Sequence, residues 1–176
     1  MGKTQKKSGV SLDVSMEFRG FVKNGRLCAL SQYNHLCFFP ELLPRRAELE
    51  SQIRMFFEEK IRSRLAVSFD DYVIDFAVTE SDVWVIELNP FMETTDGCLF
   101  SWQSERHILE GRRQDESVGI EDDDASGSGS GGASAEPFEF RLAESVRNGA
   151  KALVAHDWRL LMESGGEDWT AGGLRG

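Results

Sequence analysis

Apolar and polar residues interleave from Met16 to Lys23: Met16, Phe18, Gly20 and Val22 alternate with Glu17, Arg19, Phe21 and Lys23. That period of two predicts a strand. Asn24-Gly25 follows as a two-residue hairpin turn, so residues 26–32 (RLCALSQ) are expected to return as its partner. With Lys23 opposite Arg26, counting back sets Arg19 opposite Leu30 and Glu17 opposite Gln32, a surface of mixed polarity. Residues 44–65 (PRRAELESQIRMFFEEKIRSRL) change period. Leu49, Ile53, Phe56, Phe57, Ile61 and Leu65 fall on one side of a helix, with Pro44 suited to its first turn. Glu50–Arg54 and Glu58–Arg62 are i,i+4 pairs worth only about 0.2–0.5 kcal/mol each, so burial must stabilise the helix.

A second hairpin is predicted from 71–79 (DYVIDFAVT) and 83–89 (VWVIELN), both rich in Val, Ile and aromatics. Tyr72, Ile74, Phe76 and Val78 share one face; Val73, Asp75 and Ala77 share the other. A two-residue turn at Glu80-Ser81 would set Asp75 opposite Ile86 and mix charge with core. A three-residue loop, Glu80-Ser81-Asp82, sets Asp75 opposite Glu87 and Val73 opposite Asn89, and separates an apolar face from a polar one. The expected core is Ile74, Phe76, Trp84, Ile86 and Leu88 under Ile53, Phe56 and Phe57. This is an α+β arrangement, an antiparallel sheet with a packed helix.

Carboxylates opposite each other, with Cβ atoms about 4.5–5.5 Å apart, repel and call for a cation. Oxygen donors from Asp75, Glu87 and Asn89 suit a hard ion, Mg²⁺ above all. The alternative is that Arg19 or another arginine neutralises the acids in a partly buried network with no ligand at all. If repulsion dominates, removing both charges leaves the metal-free chain as stable as before, or more so.

Beyond Trp102 the periodicity fades. Residues 1–15 read as a loose lead-in, 16–110 as the α+β unit, and 111–136 as an acidic Ser/Gly linker expected to be disordered. Leu142, Val146, Ala150, Leu153 and Leu161 give a helical stripe within a 137–163 segment, and 164–176 read as a tail.

Composition narrows the function classes. Thirty Asp+Glu against 20 Lys+Arg give a net charge of −10, and five of the acids lie in 121–136 (EDDDASGSGSGGASAE). An acidic balance argues against direct nucleic-acid binding, and no apolar run approaches the roughly 18–20 residues of a membrane span. Three cysteines without CxxC spacing point to reduced thiols and a cytoplasmic location. His35, His107 and His156 are scattered, which argues against zinc. Neither GxSxG nor a Walker-type loop is present.

Four strings in order, EFRGFVKNGRLCALSQ (17–32), VIDFAV (73–78), IELNPF (86–91) and ETTDGCLFSW (93–102), resemble the cell division cycle protein 123 family. PFEFRL (137–142) is similar to that family's C-terminal segment. The resemblance implies an ATP-grasp-like fold of which this chain looks like the C-terminal lobe, because the family's N-terminal half has no counterpart here. It implies ATP and Mg²⁺ as cofactors and a chaperone role in assembling eukaryotic translation initiation factor 2 through its gamma subunit, by a monomer. On that likeness Asp75, Glu87 and Asn89 fall on the metal-binding positions, and Arg19 lies beside the nucleotide phosphates. Glu87-Leu88-Asn89 stands where the family shows Asp-Phe-Asn, and Tyr33 where many relatives have Arg. The other functions weighed are an ATP-grasp ligase or phosphotransferase, for which no residue marks an acceptor pocket, and a binding module without nucleotide.

Overall fold

In a computed structural model, residues 13–113 and 137–146 are described. Asn24 and Gly25 both take positive φ (51° and 67°), the geometry of the tight turn that matches strand twist. The turn joins β1 (Glu17–Lys23) to β2 (Arg26–Gln32) with Lys23 opposite Arg26, as the dipeptide predicts. A bulge then shifts the count: Val22 pairs with Leu27 but Phe21 with Ala29, leaving Cys28 as the extra residue. Arg19 therefore stands opposite Ser31, not Leu30, and Gln32 opposite Phe18, not Glu17. The slip has a packing reason. It lets Leu27 and Leu30, three apart, reach the same core.

Residues 40–65 form one helical run: a 3-10 stretch (Pro40–Arg45), α1 (Arg46–Phe56), a π turn (Phe57–Ile61) and α2 (Arg62–Leu65). Leu42, Leu49, Ile53 and Phe57 are fully buried against Phe18, Val22, Leu30, Ile74 and Phe76. Phe56 is only partly buried and meets the Phe76 ring edge-on. The Glu50–Arg54 and Glu58–Arg62 pairs form on the exposed side, at 3.1 and 2.8 Å.

β3 (Tyr72–Val78) is buried along its whole length between β1 and β4 (Val83–Asn89). Asp75 faces Glu87 and Val73 faces Asn89, the predicted pairing. The connection is a four-residue turn, not three, closed by Thr79 N–H to the Asp82 carbonyl at 2.8 Å. A bulge at Ile86 restores the register before Asp75. The expected core residues of β4 are corrected. Trp84, Ile86 and Leu88 are 56%, 46% and 42% exposed: the bulge at Ile86 sets Trp84 opposite Ala77 on the Asp75 face, and Leu88 lies on an outer strand of which the helix covers little beyond Val83.

The opposite face of the sheet carries a second core. Phe21, Ala29 and Val73 pack against Phe100, Trp102 and Leu109 from the segment after β4, which includes the short α3 (Arg106–Leu109). Phe21 meets Phe100 and Trp102 edge-on at 5.8 Å each, and the Trp102 Nε1–H donates to the Thr95 carbonyl at 2.6 Å.

β5 (Glu139–Arg141) closes the sheet, in order β4-β3-β1-β2-β5, and lies parallel to β2. This corrects the expected helical start at 137. Glu139–Arg141 satisfy the free edge of β2, and Arg141 clasps Glu105 through NH1–Oε2 (3.0 Å) and NH2–Oε1 (2.8 Å). The rest of the predicted helical stripe, the acidic linker beyond 113 and the tail lie outside the described residues. The lead-in ends earlier than expected. Asp13 caps a 3-10 turn at Val14–Met16, in which Ser15 and Met16 are buried.

Candidate functional site

Arg19 on β1 and Asp75 on β3 are cross-strand neighbours, and their side chains meet on the face away from the helix. Nε donates to Oδ1 and NH2 to Oδ2, both at 2.8 Å, while NH1 donates to the Asp96 carbonyl at 3.0 Å. Arg19 is 5% exposed and Asp75 1%. Two-point geometry of this kind is what a desolvated ion pair requires to hold. The Tyr33 ring lies under the guanidinium, 4.8 Å from its centroid, so the residue that departs from the family's arginine stacks on Arg19.

Asn89 joins the acids. Its Nδ2 donates to Glu87 Oε1 at 3.0 Å and to Asp75 Oδ2 at 3.3 Å. Glu87, exposed on the outer strand, stands 4.0 Å from Arg19 NH2. The structure thus brings Arg19, Asp75, Glu87 and Asn89 into one cluster, with the arginine in the place that the ligand-free reading gives it. The expectation that the acids merely repel is corrected: Asp75 is paired, so removing it would strand a buried guanidinium.

The four groups are electrostatically unequal. Burial pushes the Asp75 carboxyl up, Arg19 pulls it down, and Glu87 raises it again, leaving it above its ordinary value. Hydrogen bonds from Asn89 and then the Asp75 contact hold Glu87 below the usual carboxylate range. Burial also works against the Arg19 charge, but the Asp75 bond and charge outweigh it and keep the guanidinium protonated.

The donor chemistry fits a hard divalent ion: the oxygens of two acids converge at one point of the sheet, and the Asn89 amide, whose nitrogen faces them here, would present its oxygen to an ion by turning over. Glu87 and Asn89 are the accessible members. Asp75 is the least available, because both of its oxygens already accept from Arg19.

The segment after β4 supports the cluster from outside. Thr95 Oγ1 donates to the Pro90 carbonyl at 2.7 Å, and Leu99 N–H donates to Ser31 Oγ at 3.2 Å. At Gly97 a Cβ would stand inside contact distance of the Phe100 carbonyl oxygen, so only glycine fits beneath this turn. Buried Gln32 fixes the loop on the other side, donating through Nε2 to the Asn34 and Cys37 carbonyls at 2.7 Å each. Sequence reasoning missed Tyr33 and Asp96 as contacts of Arg19. The usable signals were that Tyr33 directly follows β2, the strand paired with β1, and that Asp96 lies in the turn-rich segment after β4.

Comparison with known proteins places these features. The D123 family model matches residues 7–156. The translation initiation factor eIF2 assembly protein of Emericella nidulans is 36% identical over 119 residues, 66% of this chain and 27% of that protein. Its Xenopus laevis counterpart is 32% identical over 94 residues, 53% of this chain and 27% of that one. The structure of C-terminally truncated Cdc123 from Schizosaccharomyces pombe superposes with a TM-score of 0.53 at 26% identity, covering 76% of this chain and 42% of that one. The chain spans about a quarter of the length of these curated relatives.

Proposed function

Because the chain belongs to the D123 family, we propose that it takes part in assembling eukaryotic translation initiation factor 2, as the names of its relatives say of them, and that it does so through the factor's gamma subunit. We further propose that Glu87, Asn89 and Asp75 are its magnesium ligands in an ATP-grasp-like site, with Arg19 as the nearby positive charge. The observation that carries this reading is the convergence of Asp75, Glu87 and Asn89 on one side of an arginine, on two adjacent strands that are similar to those of Cdc123.

Each residue has its own task. Asn89 holds Glu87 and Asp75 within reach of one another, and Glu87 presents its charge to solvent. Arg19 offsets part of the burial that raises the Asp75 carboxyl and fixes both of its oxygens. A bound magnesium–nucleotide would supply positive charge for the phosphates and fill the open side of the cluster. The role proposed is binding and assembly.

A second reading, a binding module that works without nucleotide, draws on the Arg19–Asp75 pair, in which each charge is matched by the other. One experiment separates the two and tests the role itself: capture of the purified gamma subunit on the immobilised chain, with and without Mg²⁺·ATP. Capture strengthened by Mg²⁺·ATP and lost in Glu87→Gln supports the nucleotide-dependent reading. Capture indifferent to both supports the module, and absence of capture under either condition removes the gamma subunit as partner.

A further inference from the structure

Far apart in sequence, His35, Asp96 and Cys98 meet in the fold. His35 follows β2, Asp96 and Cys98 follow β4, and one ligand-competent atom from each lies within 4.8 Å of the other two. Each is already steered by its surroundings. His35 Nδ1 lies 3.2 Å from the Tyr33 carbonyl oxygen, a backbone partner of the kind that orients metal-binding imidazoles. Asp96 Oδ1 accepts from the Cys98 N–H at 2.8 Å, and Cys98 takes a φ of 55°. That left-handed turn directs the thiol back toward Asp96 and His35, at the cost of about 1–3 kcal/mol for a residue with a side chain.

We propose that His35, Asp96 and Cys98 form a binding site for a divalent d-block ion, zinc foremost. An imidazole, a thiolate and a carboxylate are the donor set of such ions, and the sulfur and nitrogen make the set a poor one for magnesium. Tetrahedral zinc, with bonds of about 2.0–2.3 Å, brings ligand atoms to about 3.3–3.6 Å from one another. Side-chain rotation of the exposed Asp96 and half-buried His35 covers the remaining distance without moving either strand. The thiol proton leaves to water as the sulfur binds, and the thiolate and carboxylate then balance the ion's two charges. Arg19 is close, bonded to the Asp96 carbonyl, but its own charge is matched by Asp75. Asp96, the exposed member, leaves the site open to solvent on its side, where a water would complete the ion's coordination. The site is separate in residues and in ion class from the proposed magnesium cluster, and it holds or fails independently of that reading.

Cobalt(II) is the probe, because a cobalt–thiolate bond gives a near-ultraviolet charge-transfer band that oxygen ligands do not. The 176-residue chain, titrated with cobalt in the presence of excess Mg²⁺, is expected to develop this band with an end point at one equivalent. Zinc should bleach it. Cys98→Ser is expected to abolish the band, His35→Gln to weaken binding, and Cys37→Ser to leave it unchanged. The same test without a variant is alkylation of the native chain, read by mass spectrometry: zinc should protect Cys98 selectively over Cys37. Absence of the band, its survival in Cys98→Ser, or unprotected Cys98 under saturating zinc would each overturn the site.

Discussion

Arg19 and Asp75, partners across β1 and β3, close a two-point ion pair of 2.8 Å on each arm, almost wholly out of solvent. Every other polar residue in the site is placed relative to that pair. Asn89 reaches Asp75, Asp96 gives its carbonyl to Arg19, and Tyr33 stacks on the guanidinium.

The pair makes the first prediction. Asp75→Ala leaves a buried, uncompensated guanidinium and should cost about 3–5 kcal/mol in urea unfolding. Asp75→Asn, which keeps the shape and loses the charge, should be destabilising as well. Wild-type stability in either variant would mean that the pair carries no net energy.

Glu87 should behave oppositely. It is exposed, and its partner Asn89 lies on the same outer strand, so Glu87→Gln is expected within about 0.5 kcal/mol of wild type. Thermal melts with and without Mg²⁺ give the contrast. Wild type should gain stability from the ion, as any ligand of the folded state confers, and the variant should lose most of that gain.

How far the sequence carries this site depends on which residue is asked about. The facing of Asp75 with Glu87 follows from keeping charge off the apolar face, although the connection is one residue longer than counted and the bulge at Ile86 makes up the difference. The position of Arg19 does not follow. Counting back from Asn24-Gly25 places it opposite Leu30, and the bulge at Cys28 cannot be read from a strand that alternates cleanly on both sides of it. Its true partner, Asp75, lies on a strand 56 residues away, and no local pattern signals the pairing. Trp84 and Leu88 mislead for different reasons: the bulge at Ile86 breaks the alternation and sets Trp84 opposite Ala77 on the Asp75 face, and only the sheet order shows that little covers Leu88 on an outer strand. The second core was hidden because Phe91, Phe100 and Trp102 lie in a segment without period, folded back by turns rather than by a regular element.

Stability should therefore be unequal along β4 and the helix. Phe57→Ala empties a fully buried site and should cost about 3–5 kcal/mol, whereas Trp84→Ala should change the stability of this chain by less than about 0.5 kcal/mol. Denaturant midpoints at equal m-value distinguish them.

Acid should weaken the β5 side through Glu105. The Arg141 clasp holds the Glu105 carboxyl below its ordinary value of 4.5. Its stabilisation is thus present above pH 4.5 and is lost as pH falls through the lower folded value. Glu105→Gln should flatten part of the stability loss measured from about pH 5 downward.

The central claim is that Asp75, Glu87 and Asn89 bind magnesium–nucleotide, and calorimetric titration of the chain with ATP in the presence of Mg²⁺ tests it most directly. With Glu87 exposed and Arg19 already shared with Asp75, the expected affinity is about millimolar, near −4 kcal/mol. Binding should require Mg²⁺ and disappear in the Glu87→Gln, Asn89→Ala double variant. Binding heats that persist unchanged in that variant, or without Mg²⁺, would contradict the claim.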